Sequence, residues 1–146
     1  MTNVLEADRS VAINRYAEFA ASFGFDVGIA PLVDCNFNRS KSNLRWLEYS
    51  AMKVPTVASD VFHFRESIDP GITGILIQDN DPSKWVDALD LLITDKKVRE
   101  DMGRMAYKKV KTSFNVARNA PDYVRLLKRI AEAGSFCSED REEVAV

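Results

Sequence analysis

Histidine is nearly absent from this chain, with one residue, His63, in 146. Any centre that needs two imidazoles is thereby excluded, and most structural zinc sites with it; no metal is expected. Cysteine is scarce too. Cys35 and Cys137 stand far apart with no CxxC spacing, so free thiols in a reducing cytoplasm are the expectation. No apolar run approaches the roughly 20 residues that cross a bilayer. The opening MTNVLEADRS lacks the apolar core of a secretory signal. Nor is there an excess of one charge. A net charge of −2 argues against a general polyanion binder, so no nucleic-acid partner is expected, although a local basic patch can still face a phosphate.

What is present alternates between two periods. Val11, Ile13, Tyr16, Ala17, Phe19, Ala20 and Phe23 recur at helical spacing over residues 8–23, and Gly24 is a natural stop. Phe25–Pro31 is a short apolar run closed by proline, as in a buried parallel strand. Val54–Ala58 and Ile75–Ile77 read as two more such strands. Between the first two, Ser40 is placed to cap a helix reaching about Met52, with Leu44, Leu47 and Ala51 on its buried side. A short helix is expected around Phe64–Ile68. Asp81-Pro82 opens another through Trp85, Ala88, Leu89 and Leu92, with Pro82 in the first turn. Lys96–Thr112 forms one more, and Pro121 opens the last through Val124, Leu127 and Ile130. From Gly134 the chain is acidic and should be a disordered tail, which gives a domain over 1–133 and a tail over 134–146.

Strands alternating with helices predict an α/β fold, a Rossmann-like parallel sheet flanked by helices. Three strands are few for such a sheet. Either further strands precede residue 1, making the chain a fragment, or the first helix covers an open sheet edge.

Ligands of open α/β sheets bind beyond the carboxyl ends of the strands. Three loops qualify: Leu32 to Ser40, Ser59 to Glu66, and the turn at Gly71 to Gly74. The first is the most informative, with Asn36, Asn38, Arg39, Ser40, Lys41 and Ser42 at the start of a helix. Backbone N–H groups at a helix start, joined by Arg39 and Lys41, suit a diphosphate. The same residues also fit a solvated basic turn in which Ser40 merely caps. Glu48, two helical turns after Lys41, can accept both hydroxyls of a ribose; alternatively it pairs with Arg45 on the helix surface. Trp46 and Trp85 read as packing aromatics, and His63 as a satisfied or exposed loop histidine. A receiver-type signalling domain would need aspartates clustered at strand ends, whereas Asp34 lies beyond Pro31 in a loop.

Taken in order, several stretches resemble retaining GT-B glycosyltransferases of the group 1 type. They are Asp26-Val-Gly-Ile-Ala-Pro-Leu32, Phe37-Asn-Arg-Ser-Lys-Ser-Asn-Leu-Arg-Trp-Leu-Glu-Tyr49, Val54-Pro-Thr-Val-Ala-Ser59 and Gly71-Ile-Thr-Gly-Ile-Leu-Ile77. Asp81, Trp85–Leu92, Met102-Gly103, Ala106 and Phe114 extend the likeness. It implies a C-terminal donor-binding domain that holds a nucleotide-diphosphate sugar. The sugar would pass to a glycan or lipid-linked acceptor, with no cofactor beyond the donor. The partner would be an N-terminal GT-B domain absent from this chain, without which the chain would be inactive. The implied location is cytoplasmic, with peripheral contact to the inner membrane face left open.

The family pattern has two glutamates eight residues apart. Glu48 matches the second, implying contact with the donor ribose, and Ser40 stands at the first. The stretch Ser40-Lys41-Ser42-Asn43 is similar to a subgroup using lysine and serine, which implies that Lys41 meets the diphosphate. Arg39, Ser40, Ser42, Asn43 and Leu44 are then donor contacts, with Lys41 and Glu48 central. Glu66 sits where the family often has a glutamate before its loop turn, and a helix cap or salt bridge explains it equally. The competing expectation, motivated by Ser40, is a non-catalytic α/β nucleotide-binding or interaction module.

Overall fold

A computed structural model of the chain describes residues 15–139, with side chains to residue 133. Val11 and Ile13 of the expected first helix, the side chain of Cys137, and residues 140–146 of the expected tail lie outside what can be described. The chain divides into two compact units, the first ending at Val110 and the second starting at Lys111.

In the first unit, α1 (Tyr16–Ser22) ends as expected: Gly24 takes φ +62°, a left-handed conformation that costs glycine little. Then follow β1 (Gly28–Ala30), α2 (Asn36–Arg39), α3 (Leu44–Ala51), β2 (Thr56–Ser59), α4 (Phe62–Ser67) and β3 (Ile75–Ile77). α5 (Pro82–Thr94) comes next, and α6 (Lys96–Ser113) begins in this unit. The strands form one parallel sheet in the order β1-β2-β3, with Ile29 opposite Val57 and Val57 opposite Ile75. All three expected strands are present. Central β2 is buried along its whole length, as an apolar run covered on both faces requires.

Two apolar clusters cover the two faces. One gathers Ala30, Trp46, Ala58, Val61, Phe64 and Ile68. The other gathers Val57, Ile77, Ala88, Leu92 and Met102, with Trp85 packed against it. Trp46 is wholly buried and its indole N–H donates to the Thr73 carbonyl at 3.1 Å, which fixes α3 to the segment entering β3. Gly103 lets α6 approach closely, since a methyl group there would overlap the Lys53 carbonyl. Asp81 caps α5, accepting from the Ser83 amide at 2.9 Å, with Pro82 in the first turn.

Three expectations need correction. The helix expected from Ser40 is two helices: α2 ends at Arg39 and α3 starts at Leu44. Its buried face is also turned. Trp46 and Ser50 are enclosed, while Leu44 and Ala51 are exposed. In the second unit, α7 (Val116–Glu139) opens before Pro121, which sits inside the helix, and continues past Gly134 to Glu139.

No helix among the described residues is long and apolar enough to cross a membrane.

Candidate donor site

Where the strands end, two side chains and the backbone of Leu32 close a ring of hydrogen bonds. The Leu32 amide donates to Ser59 Oγ at 2.7 Å, and Ser59 Oγ donates to Asn80 Oδ1 at 2.6 Å. Asn80 Nδ2 then donates to the Leu32 carbonyl at 2.8 Å. Asn80 reaches back because it takes φ +52°, a conformation that asparagine tolerates better than most residues. The backbone leaving β1 is thus clamped to the ends of β2 and β3.

Above this clamp lies a cavity of about 650 Å³. Its floor is Ile29, Ala30, Pro31 and Leu32. Its wall is Lys41 and Ser42 from the loop before α3, together with Leu44, Arg45, Glu48 and Tyr49 of α3 itself; Phe64 of α4 also lines it. Tyr49 lies so close to β1 that a methyl group on Gly28 would overlap its ring. Lys41 Nζ stands 4.8 Å from the centre of the exposed Phe37 ring, a position that leaves its charge at the cavity edge. Glu48 meets Arg45 at 3.4 Å and also lines the cavity, so both uses foreseen for it are compatible.

The remaining sequence candidates are distributed differently. Arg39 is not a free cation for a phosphate. It grips Asp34 with two bonds of 2.7 and 2.9 Å, outside the cavity lining, and its guanidinium holds the Asp34 carboxyl below the usual carboxylate range. Ser40 does not cap the site helix. It closes α2, its Oγ donating to the Asn36 carbonyl at 3.2 Å. Asn43 occupies the position before α3 but makes no cap; its Nδ2 donates to Ser67 Oγ at 2.6 Å. Glu66 is exposed on α4, away from the cavity lining. His63 is neither satisfied nor exposed. It is 7% accessible, and neither ring nitrogen finds a hydrogen-bond partner among the described residues. Burial first, and the charge of Lys41 second, push its pKa down.

The joint clamping role of Ser59 and Asn80 was missed by sequence reasoning, which placed Ser59 only at the start of a candidate loop. Their only local hint was the turn-forming Asp79-Asn80 pair after β3. Among the described residues no group of three or more His, Cys, Asp or Glu side chains is placed to hold a metal ion.

A parallel sheet with helices on both faces and a cavity above its carboxyl ends is a Rossmann-like arrangement, one that the C-terminal domains of GT-B glycosyltransferases share. Two solved structures share this fold. The C-terminal domain of a glycosyl transferase group 1 family protein from Francisella tularensis has a TM-score of 0.51 and 25% identity, covering 60% of this chain and 44% of that one. Sucrose-phosphate synthase from Thermosynechococcus elongatus has a TM-score of 0.59 and 23% identity, covering 62% and 23%, a likeness of fold alone.

Residues 44–109 match the family model for glycosyl transferases group 1. Among curated relatives, a D-inositol 3-phosphate glycosyltransferase of Paenarthrobacter aurescens (strain TC1) is 47% identical over 60 residues, which is 41% of this chain and 15% of the relative. One from Corynebacterium jeikeium (strain K411) is 38% identical over 60 residues, 41% and 14%. The matched part thus spans about one seventh of these relatives' length.

Proposed function

We propose that this chain is the donor-binding part of a glycosyltransferase and holds a nucleotide-diphosphate sugar in the cavity above β1 and β2. The observation that carries the reading is the presence of Lys41 and Glu48 in one cavity wall at the carboxyl edge of the sheet. In this reading Lys41 neutralises the diphosphate as it leaves, the work a divalent metal does elsewhere. Ser42 and neighbouring backbone amides complete the phosphate contacts. Glu48 accepts the ribose hydroxyls while Arg45 orients its carboxylate. The acceptor is a hydroxylated glycan, a lipid-linked saccharide or, following the relatives' names, an inositol phosphate. Transfer would take place on the cytoplasmic side, with an N-terminal GT-B domain supplying the acceptor half of the cleft.

Calorimetry with UDP, GDP and ADP tests the reading. Removing a charge-assisted contact costs about 1.5–3 kcal/mol, so Lys41→Ala should weaken nucleotide binding about ten- to hundredfold. Glu48→Ala should weaken nucleoside diphosphates but not inorganic pyrophosphate, which has no ribose. Unchanged affinity in both variants would refute the assignment.

A second reading, a nucleotide-binding module without catalysis, has one observation in its favour. Ser40 stands where the family pattern has its first carboxylate, and its hydroxyl is spent on α2. Sugar transfer by the chain combined with an acceptor domain would remove this reading.

A further inference from the structure

His63 is a buried imidazole whose two nitrogens have no hydrogen-bond partner among the described residues, an arrangement that folded proteins seldom leave unexplained. It sits at the start of α4, its ring packed 4.4 Å from that of Phe64, which itself lines the cavity. Its segment is tied to the loop ahead of α3: Asn43 donates to Ser67 Oγ, and Ser67 Oγ donates to the His63 carbonyl at 2.7 Å. Asn43 follows Lys41 and Ser42 by one or two residues, so the loop and the histidine share a frame.

We propose that His63 is a proton-responsive positioning residue of this loop: a diphosphate held by Lys41 draws a proton from solvent onto the buried ring. The inference rests on the donor-site reading above. Its physical basis is the sign of the charges facing the ring. Lys41 acts on it from the loop; Arg45 and Glu48 of α3 are engaged with one another, and Asp60 ahead of α4 is bound to Arg65. Glu66 is exposed on α4 itself. Burial first, and the positive charge of Lys41 second, disfavour the imidazolium. A bound diphosphate cancels that charge and adds negative charge beside it, which favours the imidazolium. The protonated ring then offers two N–H donors beside Phe64, the α4 residue that lines the cavity.

Because His63 is the chain's only histidine, its ring resonances report on this residue alone. The intact chain would be followed by imidazole ¹⁵N NMR from about pH 5 to about pH 8, without ligand, with inorganic pyrophosphate and with UDP. The midpoint should lie below the usual histidine value in the free protein, rise with either ligand, and rise also in ligand-free Lys41→Ala. In calorimetry, His63→Gln should match the parent's UDP affinity within about twofold well above neutrality, where the ring is neutral in both states. It should fall behind below neutrality. Comparing the two proteins at each pH divides out the ionisation of UDP itself. Melting curves verify that the variant is folded, and if it is not, the NMR titration of the parent decides alone. Ligand binding that leaves the His63 midpoint unmoved would overturn the inference and leave the donor site standing. Failure of both UDP and pyrophosphate to bind would remove both.

Discussion

Lys41 and Arg39 are two residues apart, yet they stand in different chemical situations. Lys41 faces a cavity with no carboxylate partner among the described residues, whereas Arg39 is closed on Asp34. Arg39→Ala should therefore leave nucleotide affinity within about twofold of the parent, since an exposed pair contributes little, while Lys41→Ala should not. Calorimetry on the two variants side by side separates them; equal losses would mean that the Asp34 pair opens on binding. His63 also predicts how stability depends on pH. Its folded-state pKa is depressed, so the unfolded chain binds the proton more tightly. The stability held by the neutral ring is complete above the unfolded-state value and is lost as pH falls through it toward the folded-state value. Melting temperature should drop on acidification below neutrality, and His63→Gln should flatten that part of the profile. An identical profile in the variant would assign the acid loss to other groups.

At the scale of elements, legibility followed the range of the interaction that sets each one. β1, β2 and β3 were legible because a short apolar run between turn residues is a local signal. The capping of α5 by Asp81 was legible for the same reason. α2 was not: four residues hold no helical period, and without it Ser40 reads as the start of the next helix when it is the end of the previous one. The face of α3 was misjudged because Leu44 is apolar yet lines a cavity, while Ser50 is polar yet wholly buried. The clamp was invisible, since Asn80 bonds to a residue 48 positions away and Ser59 to one 27 away. Two glycines test how tightly these elements meet. Gly28→Ala should push Tyr49 off β1 and destabilise by about 1–3 kcal/mol, with weaker nucleotide binding because Tyr49 walls the cavity. Gly103→Ala should destabilise to a similar degree but spare affinity per folded molecule. Urea unfolding with parallel calorimetry checks both, and a Gly28 variant that binds normally would show the wall to be tolerant.

For the whole molecule, every cavity residue named above belongs to the unit ending at Val110. A donor alone in such a cavity meets water as readily as an acceptor, and group transfer requires a cleft that shuts water out. The purified chain, given nucleotide sugars and candidate acceptors, should therefore transfer no sugar above the uncatalysed background. Mass-spectrometric detection of product would contradict this. The clamp of Leu32, Ser59 and Asn80 bears on the same unit in another way. It sets the shape of the cavity floor in advance, so on the donor-site reading little freedom remains to be surrendered on capture. Loss of the asparagine should then register less as a missing contact than as a more adverse binding entropy: a floor that each incoming molecule must first assemble.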